Sequence, residues 1–249
     1  MPLVSDSATP TFSGKSSAEY RGKSNGPVVI IAMLVFGMVI SAEGLAMLRV
    51  GDSAGYGIGI FGSLFLVFAV FIAVRAFLER GLRISVYADG YLDERGGRTT
   101  AVRWGDVRVV VVDNANVRGA PPTQAYKVEL NNGKRFTYST LVKDVGKLGE
   151  TLQNEVARVQ LPAALQALEA GSRLTFGKLA VSRQGLHNGS ETLAWATVDR
   201  ISVSPQGEWM LAIWKKAPGG GSKWTSQKLR DIPNHTILLK LAERFARGR

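Results

Sequence analysis

The chain of 249 residues carries 31 Lys and Arg against 20 Asp and Glu, a net charge of +11 that predicts an anionic partner such as a membrane surface or nucleic acid. It contains no cysteine, which excludes disulfides, thiolate metal sites and cysteine nucleophiles. The two histidines, His187 and His235, are too few for a histidine-rich metal cluster, and we expect no metal and no cofactor.

Residues 1–26 are rich in Ser, Gly, Thr and Pro and lack apolar periodicity, which predicts a disordered cytoplasmic tail. Two apolar segments follow within residues 27–78. The first, at about 28–48, carries Glu43 as its single charge, and the second, at about 57–77, is uncharged from Gly57 to Val74. Because roughly 20 apolar residues cross a bilayer core, both segments are predicted to be transmembrane helices.

The flanking charges predict the orientation of this hairpin. The connection between the spans carries Arg49 as its only basic residue. Three basic residues precede the first span and three follow the second: Lys15, Arg21 and Lys23, and then Arg75, Arg80 and Arg83. The positive-inside rule then places both termini and both globular domains in the cytoplasm. We therefore expect a multi-pass protein of the cell membrane, and no cleaved signal peptide, because the first segment starts late and a second span follows it.

Gly57, Gly59 and Gly62 have the G-x-G-x-x-G spacing of a dinucleotide-binding loop, but no strand precedes them and an unbroken apolar helix follows. A different spacing is more informative, because small residues at intervals of four let a neighbouring helix approach closely in lipid. We expect such a packing face in the second span, against Gly37 or Gly44 of the first span: its members are Gly55, Gly59 and Ser63.

After residue 79 the chain shows two similar halves, at 79–160 and 172–249, joined by a helical linker at 161–171. Each half has short β-branched and aromatic runs separated by turn signals, followed by one stretch with helical periodicity. The predicted strands are 82–88, 101–103, 107–112, 126–130 and 134–139 in the first half, and 179–182, 192–194, 198–203, 210–214 and 224–229 in the second. The predicted helices begin after Ser139 and near Asn234.

The repeat is visible in the residues themselves. Residues 89–112 align with 184–203 through a turn glycine, a polar hairpin tip, an apolar-x-Trp triplet and a β-branched strand. Because Trp104 and Trp195 occupy matched places in this pattern, we expect both to be core anchors rather than ligand-stacking residues.

The second half resembles a bacterial pleckstrin-homology-like domain in the stretch FGKLAVSRQGL at 176–186, the L-A-W step at 193–195 and the I-P-N start of its last helix at 232–234. When the apolar hairpin and the LEAG linker at 168–171 are included, the chain is similar over roughly residues 27–249 to an uncharacterised family of membrane-anchored proteins. That family is known only as a domain of unknown function. The resemblance implies a membrane α-helical hairpin followed by an α+β part. That part is a tandem of two pleckstrin-homology-like domains, each an antiparallel β-sandwich or barrel closed by a C-terminal helix. It implies no activity.

No catalytic motif is present. The chain lacks a G-x-S-x-G elbow, and the glycine-rich stretch at 218–224 lacks the G-K-[ST] of a phosphate loop. The acidic residues of the first half lie at predicted turns among arginines, which favours solvated hairpin charges: they are Asp93, Glu94, Asp106 and Asp113. We therefore expect a non-enzymatic protein.

Most of the net charge lies in the second half, where residues 171–249 hold 13 basic and 5 acidic residues. This predicts a membrane-anchored adaptor whose second domain contacts anionic lipid headgroups or an acidic partner. The candidate contact residues are Lys178, Arg183, Lys215, Lys216, Lys223, Arg80 and Arg83. The alternative is an accessory or sensory subunit of a membrane complex acting through protein contacts; the membrane anchor argues against nucleic acid, and the oligomeric state stays open.

Overall fold

The structure is a computed structural model that describes residues 12, 14–23, 26–51, 53–78, 81–114, 124–204 and 208–247. The chain divides into two compact units, one comprising Met1–Tyr87 with Leu92–Ala101 and the other Ala88–Tyr91 with Val102–Arg249. The first unit holds the apolar hairpin, and the second holds most of the β-structure.

The apolar hairpin consists of α1 (Gly26–Arg49) and α2 (Ala54–Leu78). Both helices are long and apolar enough to cross a membrane, and only 11% and 17% of their spanning windows are buried. Their unbroken apolar sequences have no polar face, which distinguishes them from the amphipathic helices of a soluble surface. The chain reverses at Gly51, whose φ of 83° is a left-handed conformation that suits glycine.

A strand precedes the hairpin, in a stretch where the sequence predicts disorder. This strand, β1 (Ala18–Arg21), pairs antiparallel with β2 (Arg83–Tyr87), so that Tyr20 lies opposite Ile84. The Gly22 N–H also donates to the Leu82 carbonyl at 2.8 Å. The prediction of a disordered tail is therefore wrong for this stretch, and the apolar hairpin is an insertion between two neighbouring strands.

The first half continues with β3 (Gly90–Arg95) and β4 (Arg98–Arg103), which complete a four-stranded sheet in the order β1-β2-β3-β4. A 3-10 helix at Trp104–Asp106 leads into a three-stranded antiparallel sheet of β5 (Val107–Val112), β6 (Tyr126–Leu130) and β7 (Arg135–Tyr138). Helix α3 (Val145–Glu169) closes this half.

Helix α3 is longer than the sequence predicts. The sequence indicates a helix that ends near residue 160 and a separate helical linker at 161–171, whereas one helix runs through Pro162 to Glu169. Proline removes one backbone hydrogen bond and normally ends a helix. Here Val156 before it and Leu168 after it are both buried, so tertiary packing on the two sides stabilises the continuous helix.

The second half repeats this order. A sheet of β8 (Leu174–Phe176), β9 (Leu179–Val181), β10 (Gly185–Asn188) and β11 (Glu191–Ala194) is followed by a 3-10 helix at Trp195–Thr197. A three-stranded sheet of β12 (Val198–Ser204), β13 (Met210–Lys215) and β14 (Ser222–Lys228) leads through a 3-10 helix at Leu229–Asp231 to α4 (His235–Arg247). Antiparallel sheets closed by a C-terminal helix agree with the predicted order of strands and helices.

Matched hydrogen bonds show how closely the two halves correspond. The Trp104 N–H donates to the Asp89 carbonyl at 3.1 Å, as the Trp195 N–H does to the Gln184 carbonyl at 3.4 Å. The Asn131 N–H donates to the Asp106 carbonyl at 2.9 Å, as the Lys216 N–H does to the Thr197 carbonyl at 2.8 Å. The two tryptophans are only 1% and 5% exposed, which confirms their prediction as core anchors.

Within the second unit, the start of α4 is bound to the edge of β5. Asn234 accepts a hydrogen bond on Oδ1 from the Val110 N–H at 2.8 Å, and its own N–H donates to the Val110 carbonyl at 3.0 Å. Its Nδ2 donates to the Arg108 carbonyl at 2.9 Å. Asn234 has a φ of 53°, and Asp144, at the matched position before α3, has a φ of 56°. One asparagine thus caps the outer edge of the three-stranded sheet in the first half.

Candidate functional site

Three connections of the second half meet at one end of its sheets, which we call the basic end: the turn between β9 and β10 at 182–184, the 3-10 helix Trp195–Thr197, and the loop between β13 and β14 at 216–221. Backbone bonds from Trp195 to Gln184 and from Lys216 to Thr197 join the three connections. The Lys216 ammonium also donates to the Ala196 carbonyl at 2.9 Å. The antiparallel strand order brings these turns together because each follows or precedes a strand end on the same side.

Four of the predicted contact residues lie at the basic end. Their side chains are exposed, and none forms an ion pair within the described part of the chain: they are Arg183, Lys215, Lys216 and Lys223. Acidic neighbours neutralise basic side chains elsewhere in this half, as Glu208 does with Lys228 at 2.5 Å and with Arg230 at 3.5 Å. The hydrogen bond from Lys228 also lowers the pKa of Glu208. These four cations therefore remain unpaired at the basic end, whereas the one acidic side chain beside its loop, Asp199 near Gly221, is paired with Arg200 in the described residues.

An aromatic residue lies within this cluster. Trp214 on β13 is in register with Arg200 on β12 and Lys223 on β14. The Arg200 guanidinium carbon lies 4.3 Å from the centroid of the Trp214 ring, and the Lys223 ammonium lies 5.5 Å from it, both within cation–π range. Sequence reasoning missed Arg200 because a β-bulge between Val198 and Arg200 sets which face of the sheet it occupies.

The other predicted contact residues are not part of the cluster. Lys178 is exposed in the turn between β8 and β9, at the opposite end of β9 from Arg183. In the first unit, Arg83 donates to Glu19 at 2.8 Å, and this hydrogen bond raises the pKa of Arg83 and lowers that of Glu19. The charge of Arg83 is thus paired between β2 and β1. Arg80 lies outside the described residues.

Close contact between α1 and α2 involves four of the five predicted small residues. A Cβ added to Gly44 would lie 2.5 Å from the Gly59 nitrogen, and one added to Gly55 would lie 2.6 Å from the Gly44 carbonyl oxygen. Gly37 faces the side chain of Leu66, 2.9 Å from where its Cβ would be. Ser63 is exposed instead, and its hydroxyl donates to the Gly59 carbonyl of its own helix at 2.8 Å.

Sequence reasoning missed one glycine of this contact. A Cβ on Gly62 would lie 2.5 Å from the Ser41 hydroxyl oxygen and 2.7 Å from the Ser41 nitrogen. Gly62 is the third glycine of the G-x-G-x-x-G spacing. Its contact with Ser41 indicates that this glycine serves the packing of α2 against α1.

His187 is buried between two hydroxyls. Its Nε2 lies 2.8 Å from the Ser182 Oγ and its Nδ1 lies 2.9 Å from the Thr192 Oγ1. Burial, and to a lesser degree Arg173, lowers the pKa of His187 and favours the neutral ring. In a serine hydrolase a carboxylate orients the histidine. A threonine hydroxyl takes that place here, so this arrangement supports a structural role.

The acidic residues that the sequence assigns to solvated hairpins do not all fit that assignment. Asp93 is 2% exposed and accepts two hydrogen bonds from Arg95, at 2.7 and 2.9 Å. The prediction of a solvated hairpin charge is therefore wrong for Asp93. Its carboxylate can be buried because the two hydrogen bonds from Arg95 compensate the loss of solvation. Asp113 forms an ion pair with Lys127 at 2.5 Å.

A small cavity beside Asn114 has room for about one water molecule. It is lined by Asn114 and by the charged side chains of Glu208, Lys228 and Arg230. The amide of Asn114 is buried and has no hydrogen-bond partner within the described part of the chain. A water molecule is the size of group that this cavity can hold against the amide.

A comparison with known protein families gives a match. A family described as a family of unknown function (DUF6585) matches residues 10–248, which include the apolar hairpin and both halves. No curated protein matches the chain. The description of the family names no activity, ligand or partner.

Proposed function

Because the chain belongs to this family of unknown function, we propose its role from the geometry of its surface: it is a non-enzymatic, membrane-anchored adaptor. Its second half contacts anionic lipid headgroups through the basic end. The observation that carries the proposal is that Arg183, Lys215, Lys216 and Lys223 lie at the basic end without ion pairs in the described residues, where Lys223 and Arg200 also lie against Trp214.

Membrane anchoring is supported by the two apolar helices, whose large side chains are mostly exposed. The pairing of β1 with β2 brings the two ends of the hairpin together, as the bond from Gly22 to Leu82 shows. Two spans return the chain to the side from which it started, which fits this pairing. The positive-inside rule makes that side the cytoplasm.

The order of strands and helix in each half supports an assignment to the pleckstrin-homology-like fold. Each has a four-stranded and a three-stranded antiparallel sheet followed by one helix. We assign both halves to this fold, the first interrupted between its first two strands by the hairpin. Because such a fold hosts many roles, the function rests on the surface and not on the fold.

Lipid contact follows from simple electrostatics. Each Lys or Arg near an anionic leaflet contributes about 1 kcal/mol, so the four clustered cations together favour a strongly anionic surface. Trp214 adds an amphipathic ring of the kind that is enriched at membrane interfaces. The attraction is screened within roughly 8–10 Å at physiological salt, so it must weaken as salt is added.

The test uses the full-length chain in lipid nanodiscs. Because the protein has no cysteine, Ala217→Cys in the basic-end loop can carry a single environment-sensitive fluorophore. We expect its emission to shift to shorter wavelength in nanodiscs containing phosphatidylserine, but not in phosphatidylcholine alone, and the shift to vanish in high salt.

The matched variants locate the effect. Lys215→Glu with Lys223→Glu should abolish the shift, whereas Lys178→Glu, at the opposite end of β9, should leave it unchanged. A shift that persists in phosphatidylcholine or in high salt, or that Lys178→Glu abolishes equally, would overturn the proposal of lipid contact at the basic end.

A further inference from the structure

In the part of the chain that the structure describes, the outer edge of β12 is open at Ile201 and Val203, although the matched edge in the first half is capped. In both three-stranded sheets the first strand lies at the edge. A bulge follows the first residue pair of each of these strands. It lies between Val107 and Val109 in β5 and between Val198 and Arg200 in β12. Beyond the bulge, Val110 is opposite Val128, and Ile201 is opposite Ile213. Val110 and Ile201 therefore occupy the same position.

This equivalence fixes which backbone groups of β12 face outward. The N–H and carbonyl of Val110 are both bonded to Asn234, so they point away from β6. By the same geometry the N–H and carbonyl of Ile201 point away from β13. The backbone N–H and carbonyl groups of successive residues point alternately to the two sides of an antiparallel strand. The N–H and carbonyl of Val203, two residues after Ile201, therefore point outward as well.

No other strand or helix covers this edge in the described part of the chain. Asn234 follows the second half's own 3-10 helix but bonds to β5 of the first half, so it does not cap β12. Within 124–204 and 208–247, no backbone hydrogen bond reaches the outward groups of Ile201 or Val203. The features that commonly protect an edge strand bound this stretch, since the bulge and Arg200 precede it and Pro205 follows it, but Ile201 to Ser204 themselves contain no charge, proline or bulge.

We propose that a second copy of this chain pairs with β12, strand to strand and antiparallel, across a two-fold axis. The outward groups of both copies meet when Ile201 is opposite the partner's Val203 and Ser202 is opposite the partner's Ser202. In this register Arg200 is opposite the partner's Ser204, so no like charges face each other. The two three-stranded sheets then form one sheet of six strands.

A second copy fits this edge better than an acidic segment of another protein. Asp199 and Arg200 form an ion pair at 3.3 Å, and the remaining residues of the edge are uncharged. The edge therefore gives an acidic partner no electrostatic preference, whereas pairing with itself leaves no charge unpaired. A two-fold contact is also closed and stops at the dimer.

The pairing has a consequence for the outer face of the sheet. Because Ser202 of both copies lies on the same face, the two rows of Arg200, Trp214 and Lys223 lie on one continuous surface. Two basic surfaces in one particle bind a membrane more strongly than one, because the second contact is intramolecular. The pairing itself does not depend on lipid contact and can be tested without lipids.

The experiment uses the full-length protein in detergent micelles, with Ser202→Cys as the single cysteine of the chain. In the proposed register the two Ser202 residues form a non-hydrogen-bonded pair, with Cβ atoms about 4.5–5.5 Å apart, close enough for a disulfide after small adjustment. We expect most of the protein to migrate as a covalent dimer after mild oxidation.

Ser226→Cys is the matched control. Ser202 and Ser226 flank the same residue, Ala212, on its two sides, and both are half-buried, but Ser226 belongs to β14. It should give several-fold less covalent dimer. Equal cross-linking from the two positions would indicate random collision and overturn the proposal.

A second measurement does not depend on cross-linking. Ile201→Pro removes the outward N–H and leaves the ladder to β13 intact, as proline does on edge strands. Light scattering should give a dimer mass for the unmodified protein and a monomer mass for Ile201→Pro. A monomer mass for the unmodified protein, or a dimer without a Ser202→Cys cross-link, would overturn this pairing, and neither result bears on lipid contact.

Discussion

Burial determines how the two histidines behave. His235, at the first position of α4, is 7% exposed, and its Nδ1 has no partner within the described residues. Desolvation of the charged ring lowers the pKa of His235 to about 4. The pKa of His187 is lowered for the same reason. Both rings are therefore neutral in the folded protein near pH 7.

This predicts a loss of stability in mild acid. Below about pH 6.5 the unfolded chain binds a proton at His235 that the folded protein does not bind until about pH 4. Protons taken up by the unfolded state favour unfolding, so stability falls as pH drops through this window, by roughly 3 kcal/mol at about 1.4 kcal/mol per pKa unit. Urea unfolding of the protein in detergent between pH 7 and pH 4 would measure it.

His235→Phe is the matched variant, because it keeps an aromatic ring in the buried position without the titrating group. Its unfolding midpoint should change less over the same pH range than that of the unmodified protein, with the remaining slope due in part to His187. An unchanged pH dependence would show that His235 is not the group responsible.

At the scale of elements, backbone contact holds α1 against α2. Gly44 meets the backbone of Gly59, which cannot move aside as a flexible side chain can. Gly59 itself has nothing within 4 Å of where its Cβ would lie, although its spacing first pointed to the packing face. Of these two glycines, Gly44 is therefore the sensitive one.

We predict that Gly44→Leu destabilises the hairpin, because overpacking a close contact costs about 1–3 kcal/mol. Gly57→Leu should have little effect, since Gly57 is exposed and has nothing within 4 Å of its Cβ position. The melting temperature of the detergent-solubilised protein, followed by size-exclusion chromatography, would compare them. Equal melting temperatures for the two variants would contradict the packing shown here.

At the scale of the whole molecule, Asn234 connects the second half to the edge of β5. It makes two side-chain hydrogen bonds to the β5 backbone in a left-handed conformation that asparagine tolerates better than alanine. Asp144 has the same conformation at the matched position but is exposed and makes no side-chain capping bond. A comparison of substitutions at the two positions therefore distinguishes the cost of backbone strain from the contribution of the side-chain hydrogen bonds.

Asn234→Ala should lower the free energy of unfolding by about 3 kcal/mol, from two hydrogen bonds at about 1 kcal/mol each and left-handed strain of about 1 kcal/mol. Asp144→Ala should cost only the strain, about 1 kcal/mol. Urea unfolding of both variants gives the difference. If Asp144→Ala proved as costly as Asn234→Ala, the bonds to β5 would not be the stabilising contribution.

The sequence by itself determined the features that depend on neighbouring residues. Unbroken apolar composition identified the two helices of the hairpin, and the alternation of short runs and turns identified most strands and the order of the halves. The matched triplets identified Trp104 and Trp195 as buried, because the same local pattern recurs in both halves.

The tertiary structure alone decided the features that depend on distant partners. The four residues of β1 form a strand only because β2, beyond the whole hairpin, supplies their hydrogen bonds. Strand order separates Lys178 from Arg183 and brings Lys215 and Lys216 to the basic end. The open edge of β12 becomes recognisable only beside the capped edge of β5. In each case the energy comes from contacts between residues far apart in the chain, which composition and periodicity do not record.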